Sequence, residues 1–271
     1  MGNANGCHVN GGREMDDNLW ALSLDNVSYR KVLSGLNLQW QYGQLIGLIG
    51  PNGVGKSTLL RMLAGVWRPT QGHVYLEGKP LHALTARQRA KHVAYLPQQM
   101  PETAVFTVRQ YVEMGRYAYR TAWKGLGPDS REAVEKAIDA LDLSSYSDVY
   151  LDHLSGGERQ RAGMARCIAQ GSRIILLDEP ISNLDLYYQV DILHRLEELA
   201  KAGYLVVAAI HNLELAARYC TALVLLNKGR VYAHSSPEQV LTEQALRDVF
   251  QVSAKTYTDP YSGFLRLSHQ A

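Results

Sequence analysis

Gln44-Leu45-Ile46-Gly47-Leu48-Ile49-Gly50 runs straight into Pro51-Asn52-Gly53-Val54-Gly55-Lys56-Ser57-Thr58, and the reading of this stretch decides the fold. Its first half is a short continuous apolar run, the pattern of a buried strand. From Gly50 to Ser57 the spacing is G-x-x-x-x-G-K-[ST]. Glycines there let backbone N–H groups turn inward around phosphate oxygens without a Cβ clash. Lys56 reaches β and γ phosphates, and the Ser57 hydroxyl can ligate Mg²⁺. The segment from Lys56 to Gly65 is apolar at helical spacing, so a helix start brings its positive end to the same place. Gly50, Pro51, Asn52, Gly53, Val54, Gly55, Lys56, Ser57 and Thr58 are therefore expected to bind a nucleotide.

Working outward, Ile174-Ile175-Leu176-Leu177-Asp178-Glu179 is a second buried-strand pattern that closes on two acids. Such a strand delivers Asp178 to its carboxyl edge, where it can hold Mg²⁺ directly or through water. Glu179 is then placed to take a proton from an attacking water. Two further apolar runs, Leu205–Ile210 and Ala222–Leu226, alternate with amphipathic stretches such as Leu186–Gly203, which argues for a mostly parallel α/β sheet. Residues 21–40 alternate apolar and polar, as antiparallel strands do. Between about 100 and 165 the rhythm breaks into three helical patterns, Thr107–Tyr117, Ser130–Leu143 and Gly157–Gln170, read as a helical subdomain inserted in the core. Asn227-Lys228-Gly229 predicts a hairpin turn into a strand at Arg230–His234, with two short helices near 236–250. The last twenty residues carry few signals.

Composition narrows the class. The 271 residues are 46% hydrophobic and 20% charged, as in a soluble globular protein, and a net charge of +2 gives no nucleic-acid footprint. Cys7, Cys167 and Cys220 form no CxxC pair, which suits a reducing compartment. The longest apolar run, Tyr204–Ile210, falls far short of the roughly 20 residues a membrane span needs. Residues 1–20 read as a flexible polar leader, not a signal peptide.

Leu154-Ser155-Gly156-Gly157-Glu158-Arg159-Gln160 couples a Ser cap and two glycines to an amphipathic helix, a second anion-binding helix start. With this motif ahead of the strand ending in Asp178-Glu179, the sequence resembles the ATP-binding subunits of ABC transporters from about residue 21 to 250. The resemblance implies a P-loop ATPase core with an antiparallel β subdomain and an inserted α-helical subdomain. Gln98 then matches the Q-loop glutamine on Mg²⁺ and the attacking water, with Gln99 the runner-up. Asp185 matches the D-loop, His211 the switch histidine on the γ-phosphate, and Tyr29 the aromatic that stacks on adenine. The same resemblance implies a homodimer sandwiching two ATPs head to tail. Each phosphate loop would face Ser155, Gly156 and Gly157 of the other subunit. It also implies a membrane permease dimer as partner, an extracytoplasmic substrate-binding protein acting indirectly, and a peripheral place on the cytoplasmic face of the membrane. Asn212 stands where the family usually has Asp, and Ile181 where Thr is usual.

Thr107-Val108-Arg109-Gln110-Tyr111-Val112-Glu113-Met114-Gly115-Arg116-Tyr117 looks like the T-V-x-x-x-V-x-x-G-R-Y element of importers for ferric siderophores, haem and vitamin B12. Ferric siderophore is the first cargo this suggests, with haem and corrinoid behind it. The alternative is a soluble ATPase of the same family serving a cytosolic assembly such as iron–sulfur cluster biogenesis. A chromosome or DNA-repair ATPase is excluded, since only 99 positions separate Lys56 from Ser155, with no heptad run between them. Met100–Phe106 with Tyr111 is expected to form a partly exposed apolar cleft for a helix of the permease.

Overall fold

The computed structural model describes residues 20–98, 105–120, 126–182, 184–261 and 263–269. All of the leader but Trp20, together with Gln99 and Met100–Ala104, lies outside the described residues.

Strands β1 (Leu22–Tyr29) and β2 (Leu33–Trp40) pair antiparallel, and with β4 (Gln71–Leu76) and β5 (Lys79–Pro80) they form a four-stranded sheet in the order β2-β1-β4-β5. Their alternating pattern turns Leu22, Leu24, Leu36, Leu38 and Trp40 into the core. The second sheet is built from β3 (Leu45–Ile49), β6 (Val93–Leu96), β7 (Ile174–Asp178), β8 (Leu205–Ala209), β9 (Ala222–Asn227) and β10 (Arg230–Ser235). Its order is β10-β9-β3-β8-β7-β6, parallel throughout except for β10, which returns antiparallel beside β9. β3, β7 and β8 are buried at every position, which is why each reads as an unbroken apolar run.

Helix α1 (Lys56–Leu63) follows β3 and the four-residue α2 (Ala86–Arg89) precedes β6. Between β6 and β7 lie α3 (Val108–Glu113), a 3-10 turn at Met114–Tyr119, α4 (Pro128–Asp139) and α5 (Gly156–Ala169). These helices share one apolar cluster: Val108, Val112, Val134, Ile138, Ala162 and Ala165 are all buried. The Gly115-Arg116 pair has a physical reason here. A Cβ on Gly115 would sit 2.3 Å from the Arg166 carbonyl oxygen, so only glycine lets the two backbones touch. Arg116 Nη1 donates to the Ala169 and Gln170 carbonyls, capping the C-terminal end of α5.

Helix α6 (Leu186–Lys201) precedes β8 and α7 (Leu213–Tyr219) precedes β9. After β10 come α8 (Pro237–Val240), α9 (Glu243–Ala245) and a π-helical turn at Leu246–Phe250. Part of the C-terminal stretch from 251, without structural signals in the sequence, is a hairpin of β11 (Ala254–Thr258) and β12 (Leu265–His269). Arg266 ties it to Glu214 on α7. Among the described residues no helix is long and apolar enough to cross a membrane.

Candidate functional site

The carboxyl ends of β3, β7 and β8 and the loop after β6 converge on one cleft of about 520 Å³ lined by Asn52, Gly53, Gly55, Lys56, Ser57, Thr58, Gln98, Glu179 and His211, with Val32 at its edge. Chain topology makes this convergence: in a parallel sheet the loops after the strands gather on one side.

The loop after β3 is shaped for an anion. Gly55 caps α1 with φ 109° and offers no side-chain cap, so the first-turn N–H groups of α1 stay directed at the cleft. A Cβ at Gly55 would also lie 2.6 Å from Leu33 Cδ2. Lys56 is only 6% exposed, and its Nζ donates to the Gly50 carbonyl at 2.7 Å and the Pro51 carbonyl at 3.1 Å. Burial pushes its pKa down, while Glu179 and Asp178 pull it back up.

Asp178 ends β7 and is 1% exposed. Its Oδ1 accepts from Ser57 Oγ at 3.0 Å, and Tyr95 Oη lies 3.5 Å from Oδ2. Desolvation raises its pKa, opposed chiefly by the Ser57 hydrogen bond. A buried carboxylate beside a hydroxyl is a hard-oxygen donor set of the kind Mg²⁺ takes, so Ser57 and Asp178 fit that ion. When bound with nucleotide, Mg²⁺ neutralises charge on the β and γ phosphates.

Glu179 is fixed from four directions. Oε2 accepts from Gln98 Nε2 at 2.8 Å, and Oε1 lies 2.6 Å from His211 Nε2. Its carbonyl accepts from Ser182 Oγ at 3.0 Å and Gln160 Nε2 at 3.4 Å. Its backbone sits at φ 56°, a left-handed conformation that persists for a non-glycine residue only where the surroundings enforce it. The carboxylate is thus held toward the phosphate end of the cleft with a partner on each oxygen.

Of the residues singled out in the sequence, the loop from Asn52 to Thr58, Gln98, Asp178, Glu179 and His211 come together here. Tyr29 does not line the cleft; it is half-buried at the end of β1 and stacks on Trp67. Ser155, Gly156, Gly157 and Asp185 also stand apart from it. Ser155, Gly156 and Asp185 are exposed, and a Cβ on Gly157 would meet Leu184, so the start of α5 and the turn into α6 share one face. Asn212 caps α7, its Oδ1 accepting from Leu215 N at 3.0 Å, a role it fills as well as Asp would. Tyr111 corrects the expected docking cleft. It is 7% exposed, under the Arg166 guanidinium and against α5, so it belongs to the core. Gln160, Tyr95 and Val32 contribute to the site without having been singled out. Gln160 was legible in principle, one helical turn after Gly156.

The architecture and the phosphate cleft define a P-loop ATPase cassette. Comparison with known proteins fixes the family. The ABC transporter family model matches residues 33–182. The chain is 41% identical over 233 residues to a probable siderophore transport system ATP-binding protein of Bacillus subtilis, covering 86% of this chain and 85% of that one. It is 40% identical over 235 residues to a cobalamin import ATP-binding protein of Halobacterium salinarum, where it spans 86% of its own length but 58% of the relative's. Among solved structures, an inward-facing ABC transporter described as of metal-chelate type superposes with a TM-score of 0.80 at 26% identity, covering 93% of this chain and 97% of that one. A dimeric bacterial ABC transporter cassette gives 0.73 at 27% identity, covering 80% and 98%. The chain belongs to the ABC transporter family.

Proposed function

We propose that this cassette powers an importer: two copies sandwich two MgATP, and their closure and reopening drive a membrane permease dimer at the cytoplasmic face of the membrane. Ferric siderophore is the cargo we favour, then haem or a corrinoid, and an extracytoplasmic binding protein delivers it to the permease. In this reading Glu179 takes the proton from the attacking water. His211 meets the γ-phosphate, Tyr29 stacks on adenine, and Gln98 senses the metal and water. Lys56 and the N–H groups of the loop bind the phosphates in place.

The observation that carries the pairing is the separation within one chain. The phosphate cleft is lined without Ser155, Gly156, Gly157 or Asp185, which lie together on an exposed face. Leu186 and Tyr187, 70% and 75% exposed, continue that face as an apolar surface in want of a cover. The names of the siderophore and cobalamin relatives support import, as does the Gly115-Arg116 packing that gives the Thr107–Tyr117 element its shape. Docking to the permease falls to Val105, Phe106 and Tyr150, an exposed apolar patch stitched by the hydrogen bond from Leu151 N to the Phe106 carbonyl at 3.0 Å.

Deletion of the gene, followed by uptake assays with labelled ferric siderophore, haem and vitamin B12, tests this. Loss of one uptake, restored by the wild-type chain and not by Lys56→Ala, is the expected result. Undiminished uptake of all three, with the chain co-purifying with a cytosolic scaffold, would replace the importer by an assembly ATPase.

A further inference from the structure

His211 lies between β8 and α7, with Asn212 as the cap of that helix. On the β8 side the chain is anchored in the sheet, where Ile210 N donates to the Leu48 carbonyl at 3.1 Å. On the other side its anchor is α7, a helix of only seven residues. So short a helix is marginal in water by itself, and tertiary packing has to hold it. Leu215, Ala216 and Tyr219 supply part of that hold by burial in the core.

The C-terminal hairpin supplies the rest. Glu214, in the first turn of α7, uses both carboxylate oxygens on β12. Oε2 accepts from Arg266 Nη1 at 3.0 Å, and Oε1 accepts from Leu267 N at 3.0 Å. In a two-stranded sheet β12 keeps an open edge, and Glu214 satisfies one of its N–H groups. In the last turn of α7 the Arg218 guanidinium carbon lies 4.8 Å from the centre of the Phe264 ring, a cation–π distance. Leu265 and Leu267 pack against the same apolar core that takes Leu215 and Tyr219. A partly exposed ion pair by itself would contribute little. Here it is joined by a charge-assisted bond to fixed backbone and by the Arg218 contact, so both turns of α7 are clasped.

His211 depends on such a hold. Its side chain is 43% exposed, and its Nε2 lies 2.6 Å from Glu179 Oε1. A ring with so little packed around it takes its aim from the backbone strung between β8 and α7.

We propose that Glu214 and Arg266 are positioning residues that aim His211 by clasping α7 to the C-terminal hairpin. The proposal rests on the reading of His211 as the residue that meets the γ-phosphate. No described residue of the hairpin lines the phosphate cleft. The clasp therefore acts on the rate of hydrolysis and leaves ATP affinity alone.

Steady-state ATP turnover of the full chain, beside calorimetric ATP affinity, tests this. Glu214→Ala should lower turnover about tenfold, short of the roughly 100-fold that a 1 Å misplacement can cost, with affinity within about twofold. Arg266→Ala leaves the Leu267 bond in place and should cost about threefold, the scale of one hydrogen bond. Arg266→Lys keeps the charge and should stay within about twofold of the wild type. A histidine-labelled chain adds a direct reading by NMR, with the His211 imidazole signal assigned from its loss in His211→Ala. That signal should shift or broaden in Glu214→Ala, while the signal of His234, on β10, stays where it is. Unchanged turnover in Glu214→Ala and Arg266→Ala overturns the proposal. So does a fall in turnover with an unmoved His211 signal, or one matched by an equal loss of ATP affinity. If Glu214→Ala fails to fold, Arg266→Ala carries the same three readings. Wild-type turnover in His211→Ala overturns the γ-phosphate reading itself, a result distinct from an unmoved imidazole signal.

Discussion

The loop before α1 and the loop before α5 both place glycines and a hydroxyl residue at a helix start, yet they finish differently. Before α1, no side chain caps the helix, Lys56 is buried beneath the loop, and Asp178, Glu179, Gln98 and His211 arrive from three other segments. Before α5, the cap is closed on itself. Ser155 Oγ accepts from Glu158 N at 3.3 Å and donates to Glu158 Oε2 at 2.8 Å, while the same carboxylate oxygen accepts from Ser155 N. One helix start is completed by its own chain as a site. The other is a stable, exposed surface feature, and the contrast is what a site divided between two copies requires.

Several substitutions would break or sharpen this contrast. The largest effect belongs to Glu179→Gln, which keeps the hydrogen-bonding shape and removes the proton acceptor. ATP turnover should fall at least about 100-fold, within the range for one general base, while ATP affinity stays within about twofold. Steady-state rates beside calorimetry check it, and near-normal turnover would remove Glu179 from the chemistry.

Next come Lys56→Ala and Ser155→Arg, one from each loop. Lys56→Ala should weaken ATP binding about tenfold or more, as loss of a charge-assisted contact does. Ser155→Arg should leave the ATP affinity of the isolated chain within about twofold and still abolish hydrolysis. Equal losses of affinity in both would mean that the two loops form one site within the chain.

Gly115→Ala probes the framework that carries the second loop. The added methyl must displace the Arg166 carbonyl, so the urea midpoint should fall by the equivalent of about 2 kcal/mol, a usual cost of overpacking. An unchanged midpoint would show that the turn at Met114–Tyr119 and α5 can separate without cost.

The smallest effect runs the other way. Asp178 has a carboxyl pKa raised by burial, so its charged form opposes folding at neutral pH. Asp178→Asn keeps the Ser57 and Tyr95 contacts, and in EDTA it should raise the unfolding temperature by about 2 °C, the shift expected for about 1 kcal/mol in a chain this size. The folded state holds the proton more tightly than the unfolded state. The advantage of Asn should therefore shrink as pH drops from neutral through the raised pKa toward the ordinary Asp range. A lower unfolding temperature for Asn at pH 7 would contradict this.

Much of the phosphate cleft was legible because its residues sit where chain topology leaves no choice. A buried apolar run delivers its next residues to the sheet's carboxyl edge, so Asp178 and Glu179 could be placed from their strand and Lys56 from the loop spacing after β3, whereas Gln98 and His211 were named only through the family resemblance. β4 and β6 were missed: Gln71–Leu76 is only half apolar, and Val93–Leu96 is too short to show a period. The hairpin of β11 and β12 was hidden because β11 buries Ala254 and little else. Tyr111 was assigned to the wrong environment because sequence spacing does not reveal that Arg166 covers its ring. The contacts among Tyr29, Trp67 and Arg61 join β1, the loop after α1 and α1 itself, and no local pattern records such a meeting.

The central claim is that Ser155 serves the phosphate cleft of another copy. Glu179→Gln with ATP, followed by size-exclusion chromatography with light scattering, tests it most directly. The account predicts an ATP-dependent shift from monomer to dimer, and loss of that shift when Ser155→Arg is added although ATP still binds. A Glu179→Gln chain that binds ATP and stays monomeric, or a dimer indifferent to Ser155→Arg, would contradict it.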